Sequence, residues 1–217
     1  DACGNVEEAV KQRILEIGKL TGWRRFRDGT FGPLNFERGL LLRHLVKTHK
    51  PARILEVGTG RGFGPLVMSE TSKQLGLQAS IDTVDLYSPD DNQEWVIHRE
   101  GKDEVLHTSI RNIWNTYFKG DIQQDVKFLT GSSHKILPQL LSQGNKYDLI
   151  FIDGGHSPYS VVHDLAYAHA LLNEDGVILM DDFAPLQKFG LGTVVAYQHA
   201  IRYFHSVRVV VTEGLVY

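Results

Sequence analysis

The chain has 217 residues, 42% of them hydrophobic and 23% charged, with a formal net charge of −3. That composition fits one globular domain with a sizeable core, gives no basic surplus for nucleic acid, and holds no apolar stretch near the ~18 residues that span a bilayer. One cysteine, Cys3, excludes an internal disulfide, and with no secretory signal visible a cytoplasmic protein is expected. The chain starts at Asp1, which leaves an upstream segment open.

Asn5-Val6-Glu7-Glu8 has capping-box spacing, and Val6, Val10, Ile14, Ile17 and Leu20 then recur every three or four residues. This predicts a first amphipathic helix. Thr21 to Pro33 is turn-rich and carries Trp23-Arg24-Arg25-Phe26-Arg27. That stretch reads either as a solvated basic loop or as a cover for a planar or anionic substrate. A second helix is predicted over Phe36 to Thr48, with Leu40, Leu41 and Leu45 on its apolar face, and Pro51 marks its stop. Residues 1–50 thus form an N-terminal helical segment, a candidate substrate cap or dimer element.

From there strands and helices alternate over 51–217. Strands are predicted at Arg53–Val57, Ser80–Asp85, Val126–Thr130, Tyr147–Asp153, Gly176–Met180 and Val207–Val211. Helices are predicted after Pro65 and over Ser133–Leu141, Tyr159–Leu172 and Thr193–Phe204. Such alternation implies an α/β fold with a mostly parallel, doubly wound sheet. The stretch from Leu86 to Asp125 is too long for an ordinary connection and reads as an insertion. Leu106, Ile110, Ile113 and Tyr117 have helical spacing, so a helix over Lys102–Phe118 is expected there, after a polar loop from Ser88 to Glu94. Trp95 and Trp114 in this insertion are candidates for either core or lid.

Glu56-Val57-Gly58-Thr59-Gly60-Arg61-Gly62 follows the first parallel strand directly. Glycines there let the backbone turn sharply and approach a ligand. A dinucleotide loop would read G-x-G-x-x-G, without an acid two residues before the first glycine. Glu56 at that place is suited to an amino or hydroxyl group, and Asp85 ends the second strand where an acid binds ribose hydroxyls. A structural turn with a solvated glutamate is the plain alternative.

Two later strands also end in acid. Tyr147–Asp153 runs into Gly154-Gly155-His156, and Gly176–Met180 runs into Asp181-Asp182. Carboxyl ends of parallel strands are where α/β proteins bind ligands. Asp153, Asp181 and Asp182 together suit a hard cation, and His156 suits a base beside it. Loop and turn capping by the aspartates, and a loop-carbonyl hydrogen bond by His156, are the structural alternatives. His163 and His169 read as packing or surface residues.

Ile54 to Gly62 resembles motif I of the class I S-adenosylmethionine-dependent methyltransferases, and Val84-Asp85 resembles the acidic end of their second strand. Gly131 to Leu140 resembles the matching segment of catechol-type, metal-dependent O-methyltransferases. Phe151-Ile152-Asp153-Gly154-Gly155-His156-Ser157 and Leu179-Met180-Asp181-Asp182 resemble bacterial small-molecule methyltransferases with an F-I-D-G-x-H signature. The resemblance covers about residues 51 to 183. It implies a Rossmann-like, seven-stranded sheet and S-adenosylmethionine as cofactor. Glu56 and the loop amides of Gly58, Thr59, Gly60 and Gly62 would hold its methionine part and Asp85 its ribose, with Leu86 and Asp153 also at the cofactor. Ser132, Ser133 and His134 would lie near the adenine, although Ser132 and Ser133 are equally suited to capping a helix.

By the same resemblance, Asp153, Asp181 and Asp182 would bind a divalent cation, Mg²⁺ first, with Ca²⁺ or Mn²⁺ open. Catechol-type enzymes have an amide at the place of Asp182 and lysine at that of His156. The reaction expected is methyl transfer to a hydroxyl of a small molecule, with His156 as base. A metal-independent N- or O-methyltransferase and a non-catalytic S-adenosylmethionine-binding module are the competing readings. No nucleic acid or membrane partner is expected, and a homodimer is possible through the N-terminal helices.

Overall fold

Helix α1 (Glu8–Thr21) leads through a short antiparallel ribbon, β1 (Trp23–Arg25) and β2 (Phe31–Pro33), into helix α2 (Phe36–His49). The chain then builds β3 (Arg53–Val57), α3 (Phe63–Gln74) and β4 (Ser80–Asp85). A hairpin, β5 (Gln93–Arg99) and β6 (Lys102–Thr108), and helix α4 (Ile110–Tyr117) follow. The alternation resumes with β7 (Val126–Thr130), α5 (Ser133–Ser142), β8 (Tyr147–Ile152), α6 (Pro158–Leu171), β9 (Leu172–Met180) and α7 (Leu191–Tyr203). A two-residue ribbon, β10 (Val211–Thr212) with β11 (Leu215–Val216), ends it. The structure is a computed structural model, and it describes residues 7–25, 31–33, 36–118, 125–183, 190–208, 211–212 and 215–216. Asn5 and Val6 of the expected capping box lie outside the described residues, as do the side chains of Trp23 to Arg27.

The central sheet is parallel throughout, in the order β7-β4-β3-β8-β9. The chain moves outward from β3 through β4 to β7, then returns to the other side of β3 with β8 and β9. The strand order therefore reverses between β3 and β8, and a crevice opens at their carboxyl ends. Alternation along the strands feeds two apolar layers. Ile54, Leu149 and Phe151 join Ile14, Leu42, Phe63, Leu66 and Trp95 on one face. Leu55, Ile150 and Ile152 join Leu137, Leu165 and Ala196 on the other. The N-terminal helices α1 and α2 thus share the core of the sheet.

Three expectations need correction. The sheet has five strands among the described residues, not seven. The strand expected over Val207–Val211 does not extend it. Val207 and Arg208 are not strand, Val209 and Val210 lie outside the described residues, and Val211 enters the terminal ribbon. The helix expected from Lys102 begins only at Ile110, where Ser109 caps it by accepting from the Asn112 amide at 3.2 Å. Before it, Glu100 (φ 53°) and Gly101 (φ 75°) are both left-handed, the backbone of a tight two-residue hairpin turn. The helical spacing of Leu106 with Ile110 is therefore coincidental, and Leu106 faces Trp95 across the hairpin. Trp95 and Trp114 are core, at 0% and 1% exposure. The Trp95 indole N–H donates to the Leu20 carbonyl at 2.6 Å and ties the insertion to α1.

Candidate functional site

The glycine loop sits at the switch point because its neighbours leave no room for side chains. Gly58 has φ 97°, and a Cβ there would lie 2.1 Å from the Asp153 carbonyl oxygen. Its amide donates to the Val84 carbonyl at 2.8 Å, while the Asp153 amide donates to Val57 at 2.8 Å. The loop thus splices β3, β4 and β8 at one point. At Gly62 (φ 80°) a Cβ would meet the Trp114 ring at 2.8 Å, so the insertion packs directly against the loop. Gly60 (φ 53°) has no atom within 4 Å of a Cβ position and faces open space. Its amide donates to Asp85 Oδ2 at 2.9 Å, and Asp85 Oδ1 accepts from the Tyr87 amide at 3.0 Å. Leu86, next to it, is exposed.

Glu56 lies beneath this loop and is 1% exposed. The Thr83 hydroxyl donates to it at 2.5 Å, and the Thr59 hydroxyl lies 2.7 Å from that of Thr83. A Cβ at Gly64 would come within 2.0 Å of the Glu56 carboxyl, so the first turn of α3 closes over it. Burial pushes this carboxyl well above its ordinary range, with the Thr83 hydrogen bond opposing.

Beside the loop, the ends of β8 and β9 bring together Asp153, Asp181, Asp182 and His156, which with Gly154, Gly155 and Thr193 line one pocket. The Asp181 amide donates to Ile152 at 3.0 Å, which continues the ladder to the strand end. The Asp153 and Asp181 carboxyls stand close enough to share a hydrogen bond, and the charge of Asp182 acts on both. Asp182 has φ 62°, rare for a residue with a side chain, and its Oδ2 lies 2.9 Å from His156 Nδ1. Its own amide donates to Asp181 Oδ1 at 2.7 Å, and the Thr193 hydroxyl holds its carbonyl at 2.6 Å.

Between Asp153 and Asp181 stands a residue that sequence reasoning missed. Arg38, from α2, reaches Asp153 Oδ2 with Nη1 at 2.6 Å and pairs with Asp181 Oδ2 through Nη2. The available signal was an arginine placed three and four residues before Leu41 and Leu42, on the buried side of an amphipathic helix. Gly39 seats it: a Cβ there would lie 2.5 Å from Ile14 and 2.9 Å from Phe63, so α2 packs close to α1 and α3. Burial raises the Asp153 carboxyl to about 8 and raises that of Asp181, with Arg38 opposing in both.

The expected adenine side is built at the starts of α5 and α6. Ser132 caps α5, accepting from the His134 amide at 3.3 Å; Ser133 begins the helix. Both faces of the His134 ring are covered, by Tyr159 at 5.0 Å and by His163 at 3.9 Å. His134, His163 and Asp164 bring possible ligand atoms within 4.8 Å of one another. His163 Nδ1 lies 3.1 Å from Asp164 Oδ1. Phe183 packs on Tyr197, while residues 184–189 lie outside the described residues.

A parallel sheet with a glycine loop after its central strand and an acid ending the next is an architecture shared by dinucleotide-binding proteins and class I methyltransferases. The family described as "Methyltransferase domain" matches residues 55–183, more than half of the chain, and the chain belongs to that family. O-methyltransferase hkm8 of Aspergillus hancockii is 28% identical over 133 residues, 61% of this chain and 43% of that protein. The transmembrane O-methyltransferase homolog of Rattus norvegicus is 25% identical over 154 residues, 69% of this chain and 50% of that protein. The chain spans about half the length of these curated relatives. Among solved structures, the O-methyltransferase TomG from Streptomyces achromogenes, in complex with S-adenosylmethionine, has the same fold. Its TM-score is 0.60, at 16% identity, over 92% of this chain and 80% of that one. A structure described as a putative O-methyltransferase from Klebsiella pneumoniae matches with TM-score 0.60 and 19% identity over 95% and 83%. Among the described residues no helix is long and apolar enough to cross a membrane.

Proposed function

We propose that this chain transfers a methyl group from S-adenosylmethionine to a hydroxyl oxygen of a small-molecule acceptor, with His156 taking the hydroxyl proton. The observation that carries this reading is the His156–Asp182 pair beside the glycine loop, with Nδ1 and Oδ2 2.9 Å apart. A carboxylate holding Nδ1–H selects the tautomer whose Nε2 carries the lone pair, the form that accepts a proton. The O-methyltransferase names among the relatives support oxygen as the acceptor atom.

S-adenosylmethionine supplies an electrophilic methyl on sulfur; the acceptor oxygen bonds to that carbon as the carbon–sulfur bond breaks. The residues present suit this cofactor. The open Gly60 position and the left-handed Gly58 and Gly62 let a ligand approach the loop backbone. Each Asp85 oxygen already accepts one amide and has a further lone pair for a ribose hydroxyl. Leu86 covers the ribose side, and the Ser132–His134 turn borders the adenine. Glu56 supports the loop from below through Thr83 and Thr59. Acceptor and cofactor held in line at the switch point gain rate from positioning.

The divalent cation expected from the sequence does not fit the donor set as folded. Asp182 is directed to His156, and Asp153 and Asp181 are paired with Arg38. No step of the reading therefore runs through a metal. The net charge of −3 supports a small-molecule acceptor over nucleic acid. The test is calorimetry with S-adenosylmethionine followed by turnover on a panel of hydroxylated acceptors. Binding with turnover is expected. No detectable cofactor binding sinks the reading, and binding without turnover on any acceptor favours a non-catalytic module.

A further inference from the structure

We infer that Arg38 is the resident cation of this site: its guanidinium occupies the place that the strand-end carboxylates offer a divalent ion, and it positions both strand ends. The two amino groups of its planar fork go to different carboxylates, Nη1 to Asp153 Oδ2 at 2.6 Å and Nη2 to Asp181 Oδ2. The guanidinium is therefore held between β8 and β9, not stacked against one acid.

Four of the six carboxylate oxygens are engaged, and the Asp153 and Asp181 carboxyls also share a hydrogen bond. Asp181 Oδ2 is taken by Arg38, and Asp181 Oδ1 by the Asp182 amide at 2.7 Å. Asp153 Oδ2 is taken by Arg38. Asp182 Oδ2 lies on His156, with its backbone turned into the left-handed region. Mg²⁺, Mn²⁺ and Ca²⁺ need about six or more oxygens at ~2.0–2.6 Å, and here such an ion would also stand against a fixed positive charge. An arginine side chain stays charged across all physiological pH, so this cation can neither titrate away nor dissociate.

The packing around Arg38 makes its position a property of the fold. Gly39 brings α2 against Ile14 and Phe63, and Leu41 and Leu42 anchor the helix in the core. The Arg38 side chain is 15% exposed, Asp181 6% and Asp153 21%, so the three side chains are largely withdrawn from water together. Buried carboxylates at adjacent strand ends require such a partner. Arg38 acts on the reacting atoms through Asp153 and the 153–156 turn that carries His156, which makes it a positioning residue. That consequence for catalysis rests on the methyl-transfer reading; the occupancy of the cation place does not.

The experiment is therefore a metal titration that needs no turnover. Chelator-stripped wild type, Arg38→Gln and Arg38→Lys are titrated with Mn²⁺, read by water-proton relaxation, after circular dichroism confirms folding. Wild type and Arg38→Lys are expected to show no site below about 1 mM, and Arg38→Gln to gain one Mn²⁺ site at least ~10-fold tighter, lost again when Asp153→Asn is added. Wild-type turnover is expected to resist EDTA. A stoichiometric Mn²⁺ site in wild type that disappears in Asp153→Asn overturns the inference, and so does a folded Arg38→Gln that gains no site. If Arg38→Gln does not fold, the wild-type titration decides alone: silence supports the inference and a micromolar site overturns it. Failure of methyl transfer with these metal results intact would count against the proposed reaction only.

Discussion

His156 and Asp182 meet across the ends of two neighbouring strands, with Nδ1 and Oδ2 2.9 Å apart, and Asp182 reaches this position only by adopting φ 62°. A left-handed aspartate costs of order 1–3 kcal/mol, and such outliers cluster where a side chain must be aimed. Here the aim is at the imidazole, and the Thr193 hydroxyl on the Asp182 carbonyl holds the turn in place.

Removing the imidazole should therefore strike turnover more than binding. His156→Ala is expected to lower kcat by ~10²–10⁴-fold while leaving cofactor affinity within about threefold. Asp182→Asn should move kcat in the same direction by less, since the imidazole remains but loses the carboxylate that sets its tautomer. Steady-state kinetics beside calorimetry separates the two quantities. Wild-type turnover in His156→Ala would dismiss the base assignment.

Asp85 joins the cofactor loop to the end of β4 through Gly60 and Tyr87. Asp85→Ala removes these contacts and the acceptor for the ribose hydroxyls. Hydrogen bonds to charged groups contribute about 1.5–3 kcal/mol each, so S-adenosylmethionine affinity should fall by ~10–100-fold. Calorimetric titration measures it, and an unchanged affinity would remove Asp85 from the cofactor site.

The two glycines Gly58 and Gly60 should behave differently on substitution. Gly58→Ala would place a Cβ 2.1 Å from the Asp153 carbonyl with φ 97°, so backbone must shift at the junction of β3 and β8. A loss of at least ~2 kcal/mol is expected, with cofactor binding impaired. Gly60→Ala meets no atom within 4 Å at φ 53° and should cost only about 1–2 kcal/mol. Urea denaturation of both variants checks the order, and equal losses would contradict the steric account.

Asp148 sets an acid limb of stability. It lies where the register shifts between β8 and β9, and its carboxylate accepts from the Ala52 and Arg53 amides at 2.9 Å and from Asn173 at 2.6 Å. Burial pushes its pKa up, but these donors outweigh burial and hold it below the ordinary carboxylate range. A depressed folded pKa stabilises fully above the unfolded value of ~3.9 and is lost as pH falls through the folded value. Asp148→Asn should therefore destabilise the protein at neutral pH and shrink that difference toward pH 3, read as urea midpoints across pH. A difference that grows on acidification would refute the sign.

Much of the frame was legible because its signals are local. Apolar runs such as Leu149 to Ile152 announce buried parallel strands, and Gly58, Gly60 and Gly62 announce the loop that follows β3. The hairpin at Glu100-Gly101 was hidden by the accidental helical spacing of Leu106 with Ile110. Of the terminal strand expected from a valine run, the described residues Val207, Arg208 and Val211 do not join the central sheet, since β propensity alone does not supply a neighbouring edge.

The sequence by itself determined the alternation of strands and helices, the family, and the placement of acids at strand ends. All follow from period, turn chemistry and short motifs along the chain. Only the tertiary structure decided what those acids face. Arg38 reaches Asp153 and Asp181 because α2 packs on α1 and α3 across the sheet, Asp182 turns to His156, and Glu56 is sealed under α3. Such pairings join residues far apart in the chain. They depend on strand order and helix packing, which leave no trace in the spacing of any one segment.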